Sequence, residues 1–232
     1  ISSGYKGGNY DNIVTQLSTI YPFIIQNHNG SSFQNVKNLL NGTSDICICQ
    51  LDAALSALNG DFPFNKEHNH LRFICNLYLE TATLISRVNS GIENWQNLKG
   101  KTVCIGTNTF SSYYNFILLA KIAGIKNPLT EINVITKNIF DEDIINKFIN
   151  NQIDALYVTS PHPRKEIFDL YVKKRFKIIG LKGLNKDLLK LRLPDFKLVN
   201  IDLIDYNIGN EQNQESMSVQ SLGVPCCLIT TK

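Results

Sequence analysis

The chain lacks any apolar run approaching the roughly 18 to 20 residues that span a bilayer, and its start lacks the basic-then-apolar pattern of a secretory leader. No membrane-spanning helix is expected, and if the protein is exported its leader lies upstream of Ile1. Both nucleotide fingerprints are missing: Gly4-x-x-Gly7-Gly8 is not G-x-G-x-x-G, and no Gly-Lys-Ser/Thr closes a P-loop, so nucleotide binding is disfavoured. There is no CxxC, and His28, His68, His70 and His162 are scattered, with only His68-Asn69-His70 closely spaced. No metal and no cofactor are expected. The densest basic cluster, Lys173, Lys174, Arg175 and Lys177, has no aromatic platforms interleaved with it, which argues against a nucleic-acid partner. No single loop offers a nucleophile, base and orienter together.

What is present is a chain of 232 residues, 43% hydrophobic and 19% charged, the composition of a soluble globular protein with one large or two small domains. Its net charge of +3 is unevenly spread. Residues 1–85 carry 4 Lys/Arg and 6 Asp/Glu, residues 86–190 carry 16 and 9, and residues 191–232 carry 3 and 5, so a basic middle lies between two acidic ends. The simplest reading of Lys173 to Lys177 is a solvated helix end followed by a strand. Cys47, Cys49, Cys75, Cys104, Cys226 and Cys227 all sit in apolar, strand-like stretches and read as buried thiols. That usage suits a reducing compartment, with pairing through space left open.

Strand-like and helix-like patterns alternate along the chain. Ile1 to Ser3 is a very short β-like start, followed by a glycine-rich turn that leads into a helix over Asp11 to Leu17. Phe23-Ile24-Ile25 reads as a strand, after which Phe33, Val36, Leu39 and Leu40 recur at helical spacing until Gly42. Asp45 to Cys49 is a strand, and Asp52 is placed to cap a helix over Ala53 to Leu58. Further strands are predicted at residues 82–88, 102–106, 132–136, 153–158, 176–179 and 219–230. Helices are predicted over Tyr113 to Ala123, from Asp141 through Ile149, and through Ile167, Phe168 and Leu170 with Pro163 in the first turn. The alternation predicts an α/β fold with a mainly parallel sheet and ligand sites beyond the carboxyl ends of its strands. The pattern restarts once, which gives two α/β lobes joined by two crossing strands: residues 1–85 with 223–232 form the first, residues 86–222 the second.

Four predicted strand-end loops hold small polar residues: Gly7 to Tyr10, Asn29 to Asn35, Gln50 to Asp52, and Thr107 to Ser112. Helix starts with free N–H groups and nearby hydroxyls or amides favour carboxylate or phosphate, so a cleft that binds without making bonds is expected. In order and spacing these loops resemble the solute-binding proteins called TRAP-associated extracytoplasmic immunogenic (TAXI) proteins, within the type II periplasmic binding protein fold. Gly4-x-x-Gly7-Gly8-Asn9-Tyr10 is similar to that family's first loop, Asn29-Gly30-Ser31-Ser32-Phe33-Gln34-Asn35 to its T-G-G-S-x-x-N, and Gln50-Leu51-Asp52 to its Q-S-D. Leu77-Tyr78-x-Glu80, Ser90-Gly91-Ile92, Asn97 to Val103 and Val224-Pro225 to Thr230 resemble its crossing and returning segments. Where the family has G-x-P-G-S-G-T, this chain has Gly106-Thr107-Asn108-Thr109-Phe110-Ser111-Ser112, with Phe110 in place of a serine.

The resemblance implies a two-lobed protein that captures a small organic anion, a glutamate-like amino acid or a dicarboxylate, for a membrane transporter of the TRAP type. The expected ligand residues are Gly8, Asn9, Tyr10, Ser31, Ser32, Asn35, Gln50, Asp52, Tyr78, Thr107, Phe110, Ser111 and Ser112, with Thr159 and Ser160 from a further strand-end loop. Each has a plain structural alternative: Ser32 as an N-cap, Asp52 as a cap, Tyr10 packing on its own loop, Tyr78 stabilising the crossing. A monomer outside the cytoplasm is implied, against the reducing compartment that the cysteines suit. Two other functions remain open. One is a sensory or regulatory ligand-binding domain of the same fold, and the other is an enzyme, for which Glu80 and His162 are the candidate acid–base pair.

Overall fold

The computed structural model describes residues 1–28, 30–206 and 218–232, so Asn29 of the second loop lies outside the described residues. The chain divides into two compact units. The first comprises Ile1–Leu79, Thr109–Ser111 and Val224–Lys232, and the second Glu80–Asn108 and Ser112–Gly223.

In the first unit, helix α1 (Asn9–Ile20) and helix α2 (Ser32–Leu40) precede strand β1 (Ile46–Gln50) and helix α3 (Leu51–Asn59). Phe33, Val36 and Leu39 of α2 are all buried, as their spacing on one helical face requires. Helix α3 turns Ala53, Ala54 and Ala57 inward and stops at Gly60, whose φ of +72° is left-handed. A Cβ there would stand 2.7 Å from the Lys66 carbonyl carbon, so only glycine fits the stop. The unit also holds the first part of strand β2 (Leu71–Arg87) and the last part of strand β8 (Ser218–Thr231). β1 pairs antiparallel with β8, from Ile46 opposite Thr230 to Gln50 opposite Cys226. Ser2 makes parallel bridges to Asn27 and Cys47. Val14, Ile48 and Cys226, none of them exposed, form a small core against which Tyr10, Leu77 and Tyr78 pack.

The second unit is built on the later part of β2. Its residues Thr81 to Ser86 pair antiparallel with strand β5 (Ala155–Ser160), and Leu84 to Arg87 pair antiparallel with strand β6 (Phe176–Ile179). Strand β3 (Thr102–Cys104) runs parallel to strand β4 (Asn133–Ile135) and to β5, and strand β7 (Lys197–Asp202) pairs antiparallel with Ser218 to Gly223. Alternate residues serve opposite faces. Leu84 and Tyr157 join a core around Trp95 and Phe116, while Ile85 and Leu156 join one around Ile144, Phe148 and Ile167. Helices α4 (Ser111–Ile122), α6 (Glu142–Ile149), α7 (Lys165–Lys173) and α8 (Lys186–Arg192) supply these covers, with a short helix α5 (Pro128–Glu131) before β4 and 3₁₀ turns at Trp95–Leu98 and Leu203–Tyr206. Covering both faces explains why β5 reads as an almost unbroken apolar run.

Three expectations are corrected. The sheet is not mainly parallel: β1–β8, β2–β5, β2–β6 and β7–β8 are all antiparallel, because β2 and β8 enter as long strands passing from one unit into the other rather than through βαβ crossovers. Phe23 to Ile25 is not a strand. Phe23 and Ile25 are 81% and 84% exposed, and pairing there is confined to the bridge at Asn27. Pro163 lies outside α7, ahead of its N-cap Arg164.

Candidate functional site

Three helices of the first unit begin without a side-chain cap. Gly8, Ser31 and Gln50 are the N-caps of α1, α2 and α3, all with extended backbone, and none of their side chains bonds a first-turn amide. Such N–H groups, with the helix dipole behind them, favour an anion. Gly7, at φ +82°, makes the turn into α1, and its amide donates to Asp11 Oδ2 at 2.7 Å.

Ser32 ties these starts together. Its Oγ accepts from the Gln50 amide at 3.0 Å and shares a hydrogen bond with the Tyr10 hydroxyl at 3.1 Å. The neighbouring Ser31 Oγ donates to the Thr109 carbonyl, and the Phe110 ring stands edge-on to Tyr5 at 5.3 Å. Thr109, Phe110 and Ser111 thereby belong with the first unit, although the strand before them belongs to the second. Asn35 donates from Nδ2 to the Ile48 carbonyl at 2.8 Å, while its Oδ1 is buried without a partner, as is the hydroxyl of Ser111. Asn9 is exposed at the first position of α1, and Tyr78 is half-buried against the Val14–Ile48–Cys226 core. Asp52 is not a cap: α3 starts at Leu51, Gln50 takes the cap position, and the Asp52 carboxylate accepts the Ala53 amide at 2.9 Å inside the first turn.

In the second unit, Ser112 Oγ accepts the Thr159 amide at 3.0 Å, which fixes the start of α4 to the end of β5. Thr159 Oγ1 shares a hydrogen bond with the Tyr157 hydroxyl at 3.2 Å, Ser160 Oγ is buried without a partner, and Thr107 is half-buried.

His162 stands in a closed chain of hydrogen bonds. The Arg164 amide donates to the Tyr206 oxygen at 2.9 Å, so the Tyr206 hydroxyl is free to donate to His162 Nδ1. On the other side Thr83 donates to the Thr81 carbonyl at 3.0 Å, which leaves its oxygen to accept from His162 Nε2, 2.7 Å away. Only the neutral Nε2–H imidazole satisfies every member. Burial, reinforced by the Arg164 charge, lowers the His162 pKa to about 4, and burial raises that of Tyr206 to about 12. Both ring nitrogens of His162, one of the two candidate acid–base residues, are taken within this network.

Sequence reasoning missed the network on Asp11, where Gln26 Nε2 donates to Oδ1 at 2.7 Å and His28 Nδ1 approaches it to 2.6 Å. An acid four residues after Gly7, in the first turn of a helix, was the available signal. The basic cluster has local partners: Lys177 pairs with Glu93, and Arg175 lies 4.6 Å over the Tyr171 ring. Among the described residues no group of three or more His, Cys, Asp or Glu is arranged to hold a metal, and no helix is long and apolar enough to cross a membrane.

Two α/β units that share the long strands β2 and β8 are the architecture of the type II periplasmic binding protein fold. The chain belongs to the NMT1-like family, which it matches over residues 1–232. Similar solved structures are an ancestral arginine-binding protein bound to arginine (12% identity, TM-score 0.55, covering 100% of this chain and 83% of that one) and a substrate-binding protein of an ABC uptake transporter from Streptococcus pneumoniae with bound histidine (15%, 0.52, 100% and 79%). A third is an alkanesulfonate-binding protein from Xanthomonas axonopodis pv. citri bound to MOPS (13%, 0.51, 100% and 65%). The chain thus spans 65% of the sulfonate-binding protein's length. No functionally curated protein is similar to it in sequence.

Proposed function

We propose that this protein is a solute-binding protein whose first unit captures the carboxylate of a small organic anion. The observation that carries the reading is Ser32, whose hydroxyl joins the first turn of α1 to the amide at the start of α3 from its own place at the start of α2. Helix starts whose N-cap residues make no side-chain cap bond favour an anionic group. The carboxylate of Asp52, two residues past Gln50, favours a ligand that also carries an ammonium, hence an amino acid over a dicarboxylate. Arginine and histidine bound to two proteins of this fold support that class.

The protein works outside the cytoplasm as a monomer and delivers its ligand to a membrane transporter. The order of its loop motifs, which resembles that of the TAXI proteins, favours a TRAP-type partner, whereas the S. pneumoniae protein serves an ABC transporter.

The test is calorimetry with L-glutamate, L-arginine, L-histidine and succinate. Ser32→Ala is expected to weaken binding of the preferred amino acid by about ten- to a hundredfold, the loss of roughly 1.5 to 3 kcal/mol that one hydrogen bond to a charged group contributes. Lys173→Ala, an exposed change at the end of α7, leaves affinity as it was. Parent-like binding by Ser32→Ala together with lost binding by Lys173→Ala would transfer the site to the basic cluster.

A further inference from the structure

Four of the six cysteines, Cys47, Cys49, Cys226 and Cys227, lie on the paired strands β1 and β8, and none has exposed surface. Their register separates them. Cys226 faces the Val14–Ile48 side together with Ile48 and Leu228, whereas Cys47, Cys49 and Cys227 share the other face. Cys47 has Ile229 opposite, and Cys226 has Gln50. Cys49 alone faces a cysteine, Cys227, with their sulfur atoms 3.9 Å apart and the Cys227 thiol also directed at the Cys49 carbonyl at 3.4 Å. Directly opposed residues of an antiparallel pair have Cα atoms about 4.5 or 5.5 Å apart. Both spacings fall within the roughly 4.4 to 6.8 Å that a disulfide bridges, so closing the bond asks for side-chain rotation without strand movement. Cys47 and Cys49, two residues apart on one strand, are separated by about 6.8 Å of rise and are poorly placed for each other.

We infer that Cys49 and Cys227 are a disulfide-forming pair, a redox-sensitive staple between β1 and β8. The oxidant is a small disulfide such as oxidised glutathione. A thiolate from one cysteine attacks a sulfur of that disulfide and expels one glutathione thiolate, giving a mixed disulfide. The second cysteine's thiolate then attacks the protein sulfur of the mixed disulfide, forming the Cys49–Cys227 bond and expelling the second glutathione. Two protein thiols give up two electrons and two protons, and one oxidised glutathione becomes two reduced ones. The contact from Cys227 favours a Cys49 thiolate, but the hydrogen bond with Cys47 and full burial outweigh it and hold the Cys49 thiol well above its usual range. The folded, reduced protein therefore exchanges slowly, and the bond forms while β8 is still being added to β1. The staple joins residues 178 positions apart. It reconciles the two compartment readings: packed thiols where the surroundings are reducing, one bond where they are oxidising.

The full chain is unfolded in urea with reductant and refolded either in a mixture of reduced and oxidised glutathione or in reductant alone. The glutathione-refolded protein should be lighter by two hydrogens, lose two titratable thiols, and yield a non-reduced peptide linking Cys49 to Cys227. Its Tm should exceed that of the reduced protein by about 10 °C, the scale expected for closing so long a loop in a protein of this size. Cys49→Ala and Cys227→Ala should each abolish the linkage and the Tm difference, whereas Cys104→Ala should keep both. Retention of all thiols by the parent after glutathione refolding, a bond between any other two cysteines, or a linked protein with an unchanged Tm would each overturn the inference.

Discussion

Ser32 and His162 each connect three elements of their own unit, and they are bonded differently. His162 lies within a run of bonds from the Arg164 amide to the Thr81 carbonyl in which each donor has an acceptor. Ser32 ties together helix starts whose N-cap residues make no side-chain cap bond, next to an α2 residue, Asn35, with a buried oxygen left unpartnered. Buried polar atoms without partners are rare, and each calls for an explanation. Residue type alone points the other way, since histidine suggests chemistry and serine suggests a cap.

If the second unit is a closed framework, breaking its ion pair should have the largest effect. Arg87 pairs with Asp154, donates from Nε to the Ile153 carbonyl at 2.8 Å, and shares Asp154 with the Thr102 amide, 2.9 Å from Oδ2. Asp154→Ala takes the counter-charge from a largely buried guanidinium and the acceptor from an amide, and should cost about 3 kcal/mol or more in urea unfolding without altering ligand affinity in the protein that remains folded. A cost below 1 kcal/mol would show that water replaces the carboxylate.

Acid tests the same framework more gently. The folded pKa of His162, about 4, lies below its unfolded value of about 6.5, so the unfolded chain binds the extra proton between these limits. His162 therefore contributes stability that is complete above about pH 6.5 and declines as pH falls toward 4, by about 3 kcal/mol in all. His162→Gln should remove that slope from the pH dependence of unfolding, and an unchanged slope would assign it to other groups.

The smallest expected effect is at a helix that is capped. Asn185 accepts the amides of both Asp187 and Leu188 at 3.0 Å at the start of α8. Asn185→Ala should lower stability by about 1 kcal/mol. Ser32→Ala completes the comparison from the other side, with affinity falling more than stability.

Much of the framework was legible where burial and periodicity agree. Phe176–Ile179 was read as a strand end to end, and Asp141 as the start of the helix carrying Ile144 and Phe148. Strand β7 went unseen because only Ile201 among its residues is buried, which leaves no alternation to read. Helix α8 was missed for a similar reason, with Leu189 alone buried. The opposite failure at Phe23 to Ile25 shows that β propensity makes no strand without a partner edge. The loops of the site were recognisable singly from glycines, serines and helix starts. Their joining was not, because it runs through bonds between Tyr10 and Ser32, 22 residues apart, and between Ser32 and Gln50, 18 apart. The placement of Thr109 to Ser111 with the first unit likewise depends on a contact 78 residues long.

The register of β1 against the last part of β8 also sets an order of events during synthesis. The ladders of β2 with β5 and β6 use residues 81–87, 155–160 and 176–179, all of which leave the ribosome before any of residues 226–230. β1 is made early and waits, its β8-facing edge open, until Cys226 to Thr230 emerge to cover it. Of the two units, the one that holds the proposed site is therefore completed later on a nascent chain, and until then β1 presents an unpaired strand edge.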